Sequence, residues 1–308
     1  MSKLPEEIRG DMRKAKKLEW WTLVGMASVV VVMYFAMGGS QAMKTAFLED
    51  LLGLVPAATF LLAARLEPKE PTERHPFGFV RVNSLAFLAS AVVLAAMGFW
   101  LLYDGVTALM KGEHPSIGPV TMFGYTFWMG WLMIAALAYS IIIPTILGRL
   151  KKPVADNLRD KVLHTDAQMQ KADWQTGLAG ILGILGIGLG FWWADSAAAA
   201  LISFSIIADG LKNAHTASAE LLDGAPRKLK GSDISPEALR LQKRLRNQWP
   251  ESTVRVRESG RYMIANVHGI GVPGEIPSLK DLMGEDPTWR LAEINFTPPN
   301  CTQEELRD

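Results

Sequence analysis

The sequence predicts an all-α domain of six membrane-spanning helices followed by a small cytoplasmic α+β domain. Hydrophobic residues make up 49% of the 308 residues, and they are gathered into long runs. Four runs contain no Asp, Glu, Lys or Arg, namely 20–43, 82–103, 114–148 and 174–194. From about residue 224 onward the composition is that of an ordinary soluble domain.

Each of these runs reaches the roughly 20 residues that a helix needs to cross a hydrocarbon core. Two further apolar spans carry acids in their interior: 45–66, which holds Glu49 and Asp50, and 194–222, which holds Asp209. The six spans predict three regions of the chain. These are a cytoplasmic N-terminal segment 1–17, a transmembrane domain 18–223 and a cytoplasmic C-terminal domain 224–308.

Lysine and arginine are distributed unequally between the predicted loops. The N-terminal segment and the predicted loop 149–171 each carry six of them, whereas the segment 192–195 between the fifth and sixth spans carries none. Cytoplasmic loops are the ones enriched in basic residues. We therefore expect an integral multi-pass protein of the cell membrane with both termini in the cytoplasm. Mixed charges before a long first apolar run argue against a signal peptide.

Two of the spans contain residues that shape a helix. Gly53 and Pro56 follow the acids of the second span and predict a bend there, since proline removes a backbone hydrogen bond. The fifth span has a glycine at every third position from 177 to 186. Because small residues let helices approach closely in a bilayer, we expect the second and fifth spans to be the tightly packed pair.

The C-terminal region shows short alternating elements. Ser235-Pro236-Glu237 is a helix start. Two alternating stretches on either side of Ser259-Gly260 predict a β-hairpin. A short helix near 278–283 and a strand near 290–296 complete an α-β-β-α-β order.

Three carboxylates lie at predicted membrane depth: Glu49 and Asp50, about 100° apart on one helix, and Asp173 on another. Burying such a group costs about 2.5 kcal/mol or more, so a chain keeps it where it binds a cation or a proton. Met169 and Gln170 share the helical stripe of Asp173 and would complete the ligand shell. Oxygen-rich sites suit hard divalent cations, and a thioether adds preference for softer metals. Neighbouring carboxylates can also carry protons.

Other polar residues have weaker signals. We expect Asp104 and Asp209, near span ends, to be interfacial or local partners, and no Lys or Arg lies mid-membrane to pair with the buried acids. A possible cytoplasmic entrance for cations comprises His75, His164, Asp166 and His268.

Net charge, cysteine content and the lack of a catalytic grouping argue against a nucleic-acid-binding protein, a disulfide-linked protein and an enzyme. A net charge of +1 does not favour nucleic acid, and the single Cys301 excludes an internal disulfide. No resident cofactor is predicted, and no grouping of nucleophile, base and orienting residue indicates an enzyme.

Three stretches together resemble the cation diffusion facilitator family of metal/proton antiporters. They are Arg74-His75-Pro76-Phe77-Gly78-Phe79 with Arg81, Leu163-His164-Thr165-Asp166-Ala167 through Asp173-Trp174, and Leu221-Leu222-Asp223-Gly224-Ala225-Pro226. The resemblance covers about residues 15–300. It implies six helices with a ferredoxin-like tail, a homodimer joined through the tails, and cation efflux by alternating access.

The family's transport site uses four positions, which fall here on Glu49 and Gly53 and on Met169 and Asp173. Two of the four positions keep an acid, and Asp50 would replace the missing acid if the helix is rotated. This departure does not favour zinc, the family's common cargo.

The family's other metal positions are also altered. Phe79 stands where the loop site often has a second histidine, and Asn295 and Thr297 stand where the tail would have His and Asp. We therefore expect a tail that dimerises and binds little metal.

The sequence thus predicts proton-coupled efflux of a cation, of divalent type, bound by Glu49, Asp50 and Asp173. Two alternatives stay open. One is a carrier that exchanges a monovalent cation for protons. The other is a non-transporting membrane scaffold or metal sensor with the same fold.

Overall fold

A computed structural model of the chain describes residues 6–112, 117–122, 124–229 and 233–299. Cys301 and the first five residues of the predicted N-terminal segment lie outside these ranges. The N-terminal domain consists of α1 (Glu6–Ala36), α2 (Gln41–Leu52), α3 (Leu54–Leu66), α4 (Val82–Met110), α5 (Met129–Leu158), α6 (Lys161–Gly188) and α7 (Ala194–Leu221).

Five helical segments of the described residues are long and apolar enough to cross a membrane. They are Ile8–Ala36, Gln41–Leu66, Val82–Met110, Met129–Leu158 and Ala194–Leu221. The protein is therefore a multi-pass membrane protein. α6 has 28 residues, which matches the other helices in length, but its first half carries Lys161, Asp166 and Asp173. The predicted fifth span, 174–194, most of which falls in α6, stays a prediction.

The second span is interrupted where the sequence predicts a bend. α2 ends at Leu52, Gly53 closes it by donating its N–H to the carbonyl of Glu49 at 2.9 Å, and α3 starts at Leu54. Pro56 lies in the first turn of α3 and cannot donate a backbone hydrogen bond to the end of α2. The break therefore lies next to the acid pair.

The predicted fourth span, 114–148, differs from the structure at both ends. Its first part forms a β-hairpin of β1 (Pro119–Met122) and β2 (Tyr125–Trp128), and α5 begins only at Met129. Gly124 lies between the strands with φ +81°, a conformation that glycine adopts without steric cost. The lack of charged residues in 114–148 correctly indicates an apolar segment, but it does not distinguish a β-hairpin from a helix.

The predicted basic loop 149–171 is helical. α5 continues to Leu158, and only Arg159 and Asp160 separate it from α6. The carboxylate of Asp160 accepts a hydrogen bond of 3.0 Å from the N–H of Leu163 and so caps α6. Most of the segment predicted as a loop therefore belongs to two long helices, and its connection has only two residues.

The prediction that the second and fifth spans form the tight pair is wrong. α6, the fifth span, packs most extensively on α5, and α4 packs most extensively on α7. A Cβ on Gly177 would lie 2.5 Å from the side chain of Ile141 in α5, and one on Gly183 would lie 2.8 Å from Ala198 in α7. The glycines do allow close approach, but to α5 and α7 and not to α2.

The C-terminal domain contains α8 (Pro236–Gln248), β3 (Thr253–Ser259), β4 (Tyr262–His268), α9 (Leu279–Met283), a 3₁₀ turn (Thr288–Arg290) and β5 (Leu291–Thr297). The sheet has the order β3-β4-β5, with β3 antiparallel and β5 parallel to β4. α8 packs on the sheet through Leu241 and Leu245. This order of elements agrees with the predicted α-β-β-α-β.

The β3–β4 turn contacts the helical domain. Arg261 is buried, and its Nη2 donates to Glu67 at 2.9 Å and to Asp160 at 3.0 Å. Glu67 follows α3 and Asp160 precedes α6. One arginine of the C-terminal domain therefore contacts the ends of both helical segments that carry the predicted site acids.

Candidate functional site

A cavity of about 50 Å³ lies among α1, α2, α3, α4, α6 and α7. That volume is enough for a few water-sized molecules, at about 10–15 Å³ each. Five carboxylates line it, those of Glu49, Asp50, Asp166, Asp173 and Asp209. The cavity is thus acidic and is enclosed by helices that carry long apolar runs.

The α2 wall holds the predicted acid pair. Asp50 is 8% exposed, and its Oδ2 has no hydrogen-bond partner in the described part of the chain. Glu49 is partly exposed and faces the same cavity as Thr176 of α6. Although the two acids lie about 100° apart on the helix, both line the same cavity.

The α6 wall holds Asp166, Met169, Gln170 and Asp173, at the helical spacing noted in the sequence. The Nε2 of Gln170 donates to Asp166 at 3.3 Å, while its Oε1 has no partner among the described residues. The Met169 sulfur accepts from Nδ2 of Asn213 in α7 at 3.8 Å. The structure therefore brings together the predicted site residues of the second and fifth spans.

Asp209 of α7 also lines this cavity, although the sequence suggested an interfacial role. Asn213, which contacts Met169, lies four residues later on the same face of α7. This i, i+4 pair of polar residues in an apolar helix is a signal that could have identified α7 as a third wall. Asp104, in contrast, is a local partner as expected, since it pairs with Lys44 at 2.6 Å.

A buried ion cluster adjoins the cavity. Lys151 of α5 is 0% exposed, its Nζ lies 2.9 Å from Oε2 of Glu19 in α1, and it also pairs with Asp166 of α6. The sequence analysis missed this cluster because it assigned Lys151 to a loop and found no basic residue at depth. Asp166 thus contacts Lys151 on one side and lines the cavity on the other.

The residues suggested as an entrance are dispersed. Of the four, only Asp166 lines the cavity. His75 hydrogen-bonds Thr72 in the exposed segment before α4, and His268 ends β4 in the C-terminal domain. His164 is buried in the first turn of α6 with its Nδ1 3.1 Å from Asp156.

The acids lie on separate walls. In the described ranges no three His, Cys, Asp or Glu side chains come together closely enough to hold a metal ion directly. Glu49, Asp50 and Asp173 are nevertheless near enough for their charges to repel one another. Like charges in a medium of low dielectric favour binding of a cation or a proton.

Residues 20–222 match the family of cation efflux transmembrane domains. This match covers α1 from residue 20 onward and all of α2 to α7, and with them every residue that lines the cavity. The chain belongs to the cation diffusion facilitator family.

Individual relatives of the family align with 62–66% of the chain. A probable cation efflux system protein of Mycobacterium tuberculosis is 26% identical over 203 residues, which are 66% of this chain and 57% of the relative. The manganese efflux system protein of Bacillus subtilis is 23% identical over 62% of this chain and 63% of its own length. A cadmium, cobalt and zinc/H(+)-K(+) antiporter of Bacillus velezensis is 26% identical over 65% and 61%. The chain thus spans less than two thirds of these relatives.

Proposed function

We propose that this protein exports a divalent metal cation across the cytoplasmic membrane in exchange for protons, by alternating access. It is a transporter and not an enzyme. The observation that supports this most is the single cavity lined by acids of α2, α6 and α7. Asp50 and Gln170 each present a buried oxygen with no partner in the described ranges, and such oxygens gain most from a cation.

The donors favour a divalent ion of intermediate hardness. Carboxylate and amide oxygens suit manganese and magnesium, and the Met169 thioether adds affinity for softer metals. Glu49, Asp50 and Asp173 bind the ion, and Met169 and Gln170 complete its shell. Because the acids lie on separate walls, the ion keeps part of its hydration until the helices close around it.

Protons and the cation compete for the same carboxylates. When the cavity faces the side of lower pH, protonation of Glu49, Asp50 and Asp173 removes the charge that holds the ion, and the ion leaves. When it faces the other side, loss of the protons restores the charge. The exchange therefore needs no separate proton site.

The protein works as a homodimer with both termini and the C-terminal domain in the cytoplasm. The excess of Lys and Arg in the first half of α1 and on both sides of the α5–α6 junction supports this orientation. The C-terminal domain, with its own apolar core, provides the contact between subunits.

Flux measurements in proteoliposomes test the proposal. With an imposed pH gradient, we expect uptake of manganese with counter-movement of protons, measured by a metal dye and a pH dye. Asp173→Asn keeps the shape of the side chain and should abolish flux. The matched control is Asp233→Asn, a carboxylate that is 72% exposed, and it should transport as the wild type does.

Each alternative gives a different result. Flux of sodium or potassium that divalent ions do not inhibit would indicate the monovalent carrier. Metal binding without flux in any gradient would indicate a sensor or scaffold. Equal flux in wild type and Asp173→Asn would remove the role given to the cavity.

A further inference from the structure

We propose that Lys151 is a tethered cation that competes with the transported ion. Its ammonium group forms an ion pair with Asp166, and its positive charge weakens the binding of the transported ion in the cavity. The weaker binding lets the ion dissociate fast enough for transport. This inference rests on the proposed function and assigns a determinant of affinity and of valence preference to a residue outside the cavity.

The ammonium is held rigidly. Lys151 extends from α5 between α1 and α6, is 0% exposed, and contacts Oε2 of Glu19 at 2.9 Å and the carboxylate of Asp166. A charge at this depth is costly unless it is paired. Two carboxylates for one ammonium leave the cluster with a net charge of −1 when all three are ionised. Pairing alone would need only one of them.

Asp166 connects the cluster to the cavity. It lines the cavity, accepts from Nε2 of Gln170 at 3.3 Å, and has its other contact with Lys151. With the ammonium in place, Asp166 is already neutralised and contributes little attraction to a cation in the cavity. Without it, Asp166 would be an additional ionised ligand one helical turn from Gln170.

The charge of Lys151 also acts on the rest of the cavity, because its partner Asp166 lies two helical turns before Asp173 on the α6 wall. In an effective dielectric of about 20, a unit charge about 8 Å away changes the affinity for a monovalent ion by more than tenfold. The effect on a divalent ion is larger, since it scales with the charge of the ion. Lys151 therefore disfavours divalent binding more than monovalent binding and prevents the acids from trapping the ion.

Binding and transport kinetics of the full chain separate this role from a purely structural one. In Lys151→Met we expect the dissociation constant for Mn²⁺, measured by calorimetry in detergent, to fall at least tenfold. The change for Na⁺ should be smaller. In proteoliposomes, both KM and kcat for Mn²⁺ should fall, since tighter binding slows release. A residue that only holds helices together would lower kcat without tightening binding.

The matched control is Lys152→Met. Lys152 is the next residue of α5, and its side chain is exposed, so its loss should leave the dissociation constant and the kinetics unchanged. If Lys151→Met does not fold, the double variant Glu19→Gln/Lys151→Met keeps the cluster at a net charge of −1 and still frees Asp166. It should show the same tightening.

A folded variant whose Mn²⁺ affinity is unchanged or weaker overturns the proposal. Failure of both variants to fold would also overturn the proposal, because Lys151 would then be required for folding and not for tuning the affinity. Failure of the proposed function is visible separately, as absence of cation binding by the wild type or as wild-type binding by Asp173→Asn.

Discussion

The carboxylate of Asp195, the second residue of α7, accepts a hydrogen bond of 2.6 Å from the hydroxyl of Ser40, the N-cap of α2. It also accepts from the backbone N–H groups of Gln41 at 2.6 Å and Ala42 at 3.2 Å. Asp195 is fully buried. One side chain of α7 therefore satisfies the free N–H groups at the start of α2, and it stabilises the end of the helix opposite the acid pair.

Replacing Asp195 by Ala should lower the free energy of unfolding by about 2–3 kcal/mol, since buried donors lose their acceptor. The control is Asp104→Ala, which removes only a partly exposed pair with Lys44 and should cost about 0.5 kcal/mol. Denaturant unfolding in mild detergent, followed by tryptophan fluorescence, measures both. Similar losses in the two variants would contradict the structural importance of the Asp195 contacts.

Gly53 stands where the family's site has a second polar or acidic ligand of the second span. A Cβ at this position would lie 3.0 Å from Cε of Met26 in α1. The double variant Gly53→Asp/Met26→Ala supplies a carboxylate one turn after Glu49 and removes the Met26 side chain, which leaves the backbone oxygen of Asp50, 3.2 Å from the new Cβ, as the nearest neighbour. We expect its affinity for Zn²⁺, measured by calorimetry, to increase at least tenfold, or about 1.4 kcal/mol.

The neutral pair Gly53→Asn/Met26→Ala controls for the changed shape of the cavity. It should bind Zn²⁺ as the wild type does. If the Asp and Asn variants bind equally, the position does not face the transported ion.

Composition and backbone chemistry predicted much of this fold. The charge-free runs identify apolar helical segments, Gly53 and Pro56 predict the interruption beside Glu49, and Ser235-Pro236 predicts the start of α8. These signals are local, since each depends on residues within one or two helical turns. The site acids could also be identified from local sequence, because a carboxylate within an apolar run needs a cation, a proton or a hydrogen-bond donor in any fold.

The features that the sequence did not predict depend on tertiary contacts. Lys151 looks like a loop residue until Glu19 and Asp166 are seen to surround it. The glycines of α6 show that some helix comes close, but only the structure shows that the neighbours are Ile141 and Ala198. Residues 119–128 have no charge, and an uncharged segment satisfies its backbone equally well as a hairpin or as a helix.

The Arg261 contact predicts how the C-terminal domain responds to pH. Burial raises the pKa of Glu67 above its ordinary value, and the guanidinium of Arg261 opposes that rise. When the pKa of a carboxyl is higher in the folded than in the unfolded protein, the free energy of unfolding falls as the pH rises from the unfolded pKa through the folded pKa. In Arg261→Met the opposing charge is gone and the pKa of Glu67 rises further. The variant should therefore lose more stability than the wild type as the pH rises from about 5 to about 8, a range that starts just above the ordinary pKa of a glutamate.

At the upper pH we expect Arg261→Met to cost about 3 kcal/mol, because two buried carboxylates lose their partner. The control is Arg257→Met. The Arg257 side chain is 30% exposed and pairs with Asp223, so its loss should lower the free energy of unfolding by about 0.5 kcal/mol at either pH. Denaturant unfolding at the two pH values measures the difference. If Arg261→Met loses the same free energy of unfolding at both pH values, the pKa of Glu67 does not differ between the folded and unfolded protein as this prediction requires.

Orientation in the membrane can be tested with the single native cysteine. Cys301 lies in the C-terminal region, outside the described residues, and Thr126 is exposed in the β1–β2 hairpin at the start of α5. If the C-terminus is cytoplasmic and α5, α6 and α7 each cross the membrane once, the hairpin lies on the opposite side. An impermeant maleimide on intact cells should then label Thr126→Cys in a Cys301→Ser background and leave native Cys301 unlabelled until the cells are permeabilised. Labelling of both sites in intact cells would mean that α6 does not span the membrane, and it would remove Asp173 from membrane depth.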